Sequence, residues 1–177
     1  INACEGLASS GEGGRDCNAT MCVAVLDATT MVGFLPNGSM NRDINCSLAA
    51  GITGESVTIA VIRALTLNGS KILIAHRNAQ EIIIVNSSCV NTTAGKSISV
   101  GAVQPGAIYG IEANASHLFV MTPSADISNI TFYTWGGVPV PGGFNISGDI
   151  GSPSGFDFNS GTFYVLENTN CTIFQYT

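Results

Sequence analysis

Positive charge is scarce in this sequence. Its six Lys and Arg stand singly at Arg15, Arg42, Arg63, Lys71, Arg77 and Lys96. No basic stripe forms, which argues against nucleic acid and anionic membrane surfaces as partners. Histidine is almost missing: His76 and His117 are the only two, each at the end of an apolar run. With so few titratable groups no constellation of nucleophile, base and orienting group can be assembled, and the expectation is that the chain is not an enzyme and has no catalytic residue. Two near-motifs fail on inspection. Thr93-Ala94-Gly95-Lys96-Ser97 ends like a phosphate-binding loop, but Val90 stands where the first glycine is required. Gly151-Ser152-Pro153-Ser154-Gly155 has proline where a nucleophile elbow needs serine. Long apolar runs are also lacking. The longest, near residues 57–67, is broken by Arg63 and is too short to span a bilayer, so no membrane span is expected. No C-x2-C pair and no cysteine beside a histidine occurs, which speaks against zinc; no metal and no cofactor is expected.

Charged residues make up only 10% of the chain, the formal net charge is -6 and the mean hydropathy is +0.34. Such a composition needs another source of solubility, because mixed surface charge normally provides it. The asparagines supply one. The N-glycosylation acceptor N-x-[ST] occurs at Asn18, Asn37, Asn45, Asn68, Asn86, Asn91, Asn114, Asn129, Asn145 and Asn170. With Ser and Thr at roughly a sixth of the chain, chance would place about three such acceptors among the asparagines. N-linked glycan is therefore the one non-protein component expected. Six cysteines, at Cys4, Cys17, Cys22, Cys46, Cys89 and Cys171, fit the same oxidising compartment as three disulfides. Proximity along the chain favours bonds among Cys4, Cys17 and Cys22 or onto Cys46, with Cys89–Cys171 as a long-range staple. The first residue is Ile1, which reads as a secreted or cell-surface chain freed of its signal peptide.

Residues 1–22 hold three cysteines among Gly, Ser and acidic residues and read as a disulfide-pinned N-terminal loop packed on a domain of residues 23–177. Short runs rich in β-branched and aromatic residues follow, among them CVAVLD (22–27), TMVGFL (30–35), SVTIAVIRALTL (56–67), KILIAHR (71–77), EIIIVNSSCV (81–90), HLFVMT (117–122), ISNITFYTW (127–135), TFYVLEN (162–168) and CTIFQYT (171–177). Leu67-Asn68-Gly69-Ser70-Lys71 and Glu112-Ala113-Asn114-Ala115-Ser116 have hairpin-turn chemistry and are acceptor sites as well. No stretch shows capped helical periodicity. The fold expected is all-β, a single-domain β-sandwich or jelly roll, with no internal repeat and with one long Gly-, Pro- and Ser-rich loop over 136–161. In that loop Asp149, Asp157 and Asn159 are candidate calcium ligands, and Trp135 beside it is a candidate sugar-stacking face; turn-shaping and core-filling roles explain all four residues more simply.

The function expected is a non-enzymatic, heavily glycosylated extracellular structural protein: a subunit of a filament, sheath or surface coat, made of copies of itself and assembling by β-strand addition. Ile173 and Phe174 in the C-terminal strand are the candidate assembly residues. The alternative is a ligand-binding ectodomain, such as an adhesin, a lectin-like module or the receptor-binding part of a viral envelope protein, with surface glycans or a receptor as partner.

Overall fold

The computed structural model describes residues 15–17, 21–27, 30–35, 37–47, 62–76, 81–92, 97–100, 108–122, 128–148, 150, 153–167 and 171–177. All regular structure among them is β-strand. The first sheet consists of β1 (Arg15–Cys17), β2 (Cys22–Asp27), β3 (Thr30–Phe34) and β4 (Met40–Ser47), and the second of β5 (Ile62–Asn68), β6 (Lys71–His76), β7 (Glu81–Val85) and β8 (Ile98–Ser99). The third contains β9 (Gly110–Ala113), β10 (Leu118–Thr122), β11 (Asn129–Tyr133) and β12 (Pro139–Asn145), and the fourth β13 (Pro153–Asn159), β14 (Thr162–Glu167) and β15 (Thr172–Tyr176). Every sheet is an antiparallel meander in sequence order. The unit recurs about every 45 residues, an internal repeat carried by topology where the sequence suggested none.

The tightest connections follow from single residues. Asn159 pairs with Thr162 across Ser160-Gly161, both at positive φ (52° and 91°), the backbone that a two-residue type I′ turn demands. Asn68 pairs with Lys71 across Gly69-Ser70, with Gly69 at φ 62° in the first central position.

Successive sheets pack face to face. The first lies on the second through Val23, Met31, Ile44 and Cys46 against Leu65, Ile72, Ile74, Ile83 and Val85. The opposite face of the second, with Leu73, Ala75, Ile82 and Ile84, lies on Ile111, Leu118, Val120 and Tyr133 of the third. The third then meets the fourth through Phe119, Met121 and Ile130 against Phe163 and Val165. The all-β expectation holds, and the sheet-on-sheet contact expected of a sandwich is made three times over instead of once. The runs ILIA in β6 and IIIV in β7 explain why: they do not alternate, so both faces of their sheet must be covered. The first strands of the four sheets touch in order, β1 to β5, β5 to β9 and β9 to β13; no comparable contact leads from β13 back to β1 among the described residues.

Three expectations need correction. The supposed loop at 136–161 contains β12 and β13. Glycine and proline misled there because β12 is an edge strand of its sheet, where a missing N–H costs little. Its register against β11 shifts between Ile130 and Phe132, and at Gly142 (φ 119°) a Cβ would stand 2.8 Å from the Phe132 ring. The N-terminal segment 1–22 is not all loop, since β1 and the first residue of β2 belong to the first sheet. Cys46 is bonded to Cys89, with Cα atoms 5.7 Å apart, which replaces the Cys89–Cys171 staple. Closeness along the chain was the wrong guide: β4 lays Cys46 on the second sheet, and the turn after β7 presents Cys89, at φ 62°, to the same core.

Candidate functional site

The glycan acceptors fall into two geometric groups. In four of them the asparagine side-chain oxygen closes its own turn. Asn37 Oδ1 accepts hydrogen bonds from the Ser39 N–H (3.0 Å) and hydroxyl (2.7 Å), and Asn86 Oδ1 accepts from the N–H groups of Ser88 (3.0 Å) and Val90 (3.1 Å). Asn114 Oδ1 accepts from the N–H groups of Ser116 and His117, both at 2.8 Å, and Asn145 Oδ1 accepts from the Ser147 N–H at 2.7 Å. These are Asx turns, the local structure that Asn offers in place of a strand. They occupy the oxygen of each amide, whereas a glycan is attached through the nitrogen.

The second group sits on strands or, at Asn91, beside one. Asn45 lies exposed on β4 opposite Val32, and Asn91 makes an isolated bridge to Val85. Asn129, half-buried at the start of β11, faces the exposed Asn145 across the ladder, so two acceptors are direct cross-strand neighbours. Asn68, at the end of β5, donates from Nδ2 to the Asn114 carbonyl (3.1 Å), spending the glycan-bearing nitrogen on a tie between two hairpins. Asn18 and Asn170 lie outside the described residues, as does Cys4. Among the cysteines whose side chains are described, Cys22, Cys46, Cys89 and Cys171 are all disulfide-bonded.

That tie belongs to a cluster of hairpin tips joining the second and third sheets. The Trp135 indole N–H donates to the Ala115 carbonyl (3.2 Å), and the Lys71 ammonium stands 5.3 Å from the centre of the Trp135 ring. Trp135 is thus half-buried against the second core cluster with its ring partly covered by a cation. Beneath the tips the Thr66 hydroxyl donates to Glu112 Oε2 at 2.8 Å, a buried polar link between β5 and β9. Burial also pushes the Tyr133 phenol above its ordinary pKa, and its hydroxyl reaches the Val100 carbonyl at 3.4 Å.

The remaining candidates are scattered. Asp157 and Asn159 are exposed on β13, with Asn159 engaged by the Ser160 hydroxyl, and Asp149 lies outside the described residues. No group of three or more His, Cys, Asp or Glu able to hold a metal occurs among the described residues. His117 is half-buried beside the rings of Phe119 and Phe132; the side chain of His76 is outside the described set. The two assembly candidates differ from each other: Ile173 is 45% exposed, whereas Phe174 points into the third core cluster. No helix of the described residues is long and apolar enough to cross a membrane.

No known protein family matches the sequence. No curated protein matches it either. Solved structures do resemble the fold. A protein of unknown function from Bacteroides caccae superposes with a TM-score of 0.57 at 14% identity, covering 92% of this chain and 55% of its own. The WD40 domain of Neurospora crassa Pan2 gives 0.51 at 11% identity over 98% of this chain and 51% of its own, and Kluyveromyces lactis Hsv2 gives 0.53 at 6% identity over 85% and 39%. This chain thus spans about half the length of the structures it resembles. At such identities the likeness is one of fold alone, and the shared feature is a propeller-like succession of antiparallel meanders.

Proposed function

We propose that the chain is a non-enzymatic, heavily N-glycosylated extracellular structural protein, a subunit that repeats with copies of itself in a filament, sheath or surface coat. The observation that carries the reading is the geometry at Asn37, Asn86, Asn114 and Asn145, where the turn holds the amide oxygen and so orients the nitrogen that would bear a sugar. The Cys46–Cys89 disulfide fits an oxidising compartment. Contacts between copies would draw on the exposed apolar side chains Leu35, Met40, Val138 and Ile173. Phe174 leaves the list of contact residues because it serves its own core.

Enzymatic deglycosylation in heavy-oxygen water, followed by mass mapping, tests the coat. The four Asx-turn sites are expected to be fully labelled. Asn68 is expected to be labelled weakly, and Asn129 less than Asn145, because facing Cβ atoms lie only about 5 Å apart and two glycans would crowd there. Labelling at fewer than half of the ten acceptors would refute the glycan coat. Negative-stain microscopy of native material and of Ile173→Asp tests the assembly: fibres or sheets that shorten in the variant are expected, and a folded, fully glycosylated wild type sedimenting as a monomer would refute it. That monomer, if it bound immobilised glycan or receptor through the Trp135 tip, would favour the ligand-binding reading instead.

A further inference from the structure

The turn after the third strand of a sheet is built the same way three times. After β3 the Leu35 N–H donates to the Ser39 carbonyl and the Gly38 N–H to the Leu35 carbonyl, both at 2.8 Å. Asn86, Cys89 and Val90 repeat the pattern after β7 (3.1 and 3.0 Å), and Thr134, Gly137 and Val138 repeat it after β11 (2.8 and 3.0 Å). The fourth residue is left-handed each time, at φ 83°, 62° and 80° for Gly38, Cys89 and Gly137, as a three-residue hairpin loop ending in an αL residue requires. The first residue differs. Asn86 Oδ1 and Thr134 Oγ1 each accept hydrogen bonds from two backbone N–H groups of their own turns, whereas Leu35 presents an apolar side chain that is 41% exposed. The polar role has moved there to Asn37, whose Oδ1 takes the Ser39 N–H.

We infer that Leu35 is the seat of a sugar: the first N-acetylglucosamine of a glycan on Asn37 lies with its C–H face on the Leu35 side chain. This rests on the glycosylated reading proposed above. Phe34 and Met40 are ladder partners, so the next residues, Leu35 and Ser39, face each other on the opposite side of the hairpin. The Ser39 hydroxyl donates to Asn37 Oδ1 at 2.7 Å, which draws the Asn37 amide to that same side. With the oxygen held there, the nitrogen that carries a sugar stands beside Leu35. Space is open at the turn, where a Cβ on Gly38 would meet nothing within 4 Å. One face of a pyranose ring is made of C–H groups, and laying it on Leu35 removes apolar area from water without a second protein. Leu35 then leaves the side chains available for contacts between copies, whereas Met40, exposed on the other face of the hairpin, stays among them.

The test uses the full glycoprotein, trimmed enzymatically to one N-acetylglucosamine at each occupied site. Nuclear cross-relaxation should link the Leu35 methyl groups to the ring protons of the sugar on Asn37; an occupied Asn37 without that link overturns the contact. Amide hydrogen exchange at Leu35 and Gly38, the two donors of the turn, gives a second measurement in L35S, S39A and L35S/S39A. Ser39→Ala removes the sugar and the hydroxyl but keeps Asn37 and the backbone N–H that caps it, and the hydroxyl is lost equally in both backgrounds. It should accelerate exchange by at least about twofold more with Leu35 present than with L35S, the non-additivity of groups in contact. Equal acceleration in both backgrounds overturns the inference, and should a variant not fold, the wild-type cross-relaxation still decides it. Mass mapping that finds Asn37 bare while most other acceptors are occupied overturns this contact and leaves the glycan coat standing, whereas occupancy of fewer than half of the ten refutes the coat itself.

Discussion

The second and fourth sheets solve the same packing problem with different residues. The second lies between two others, and its strands β6 and β7 are aliphatic on both faces: Ile72, Leu73, Ile74 and Ala75 are fully buried in succession. Among the described residues the fourth has its buried side against the third sheet alone, and its strands alternate. In β15, Phe174 and Tyr176 turn to the core while Ile173 and Gln175 stay exposed. Its core is aromatic, with Phe163 packed edge-to-face on Phe119 at 4.9 Å and on Phe144 at 5.4 Å. An inner sheet absorbs apolar residues without giving any to the surface. Much of the apolar excess that pointed to subunit contacts is therefore buried inside the molecule, and the proposed assembly would have only a few exposed apolar side chains to draw on.

The comparison breaks most visibly at its aromatic end. Phe163→Ala should cost about 3–5 kcal/mol in chemical denaturation, since it opens a cavity where five rings meet. In the second sheet, Leu73→Ala and Ile74→Ala, neighbours on opposite faces, should each cost about 2–5 kcal/mol. A cheap outcome at either one would mean that one face of that sheet is not covered. Removing the staple between the first two sheets as C46A/C89A should cost about 2–4 kcal/mol and lower the melting temperature accordingly. Thr66→Val leaves the buried Glu112 without that donor and should cost about 1–3 kcal/mol. Ile173→Ser should stay within about 0.5 kcal/mol, the contrast to Phe174→Ala on the next residue of the same strand. Tyr133 adds a pH arm. Its pKa is raised in the fold, so the stability it contributes is fully present below about pH 10 and is lost as pH rises through the folded value. Tyr133→Phe should flatten the alkaline limb of a melting-temperature profile.

Strand composition was the most legible feature. CVAVLD forms β2 with the bounds read from the sequence, and TMVGFL, KILIAHR and HLFVMT each differ from β3, β6 and β10 by one residue at an end. Strands poor in apolar β-formers were invisible. MNRDINCS in β4 has polar residues at most positions, and PVPGGFN in β12 carries two prolines and two glycines, so their pairing partners and not their own propensities make them strands. The unbroken apolar runs of β6 and β7 carry a further signal: they require cover on both faces, which a two-sheet sandwich does not provide.

At the candidate site the acceptors were legible because N-x-[ST] is a covalent code within three residues, and so was the hairpin at Asn68-Gly69, because a positive φ is a local demand that Gly meets. The Asx turns, the Asn68–Asn114 tie and the facing pair Asn129–Asn145 were not, since they depend on which strand lies beside which. The sequence by itself determined the all-β class, the turns and the acceptor positions, all set by the conformational preferences of a few adjacent residues. Tertiary structure alone decided that four meanders stack in series, that Cys46 meets Cys89, and that Phe174 is core while Ile173 is surface. Those outcomes depend on apolar faces finding cover from residues far away in the chain, and no local preference encodes that choice.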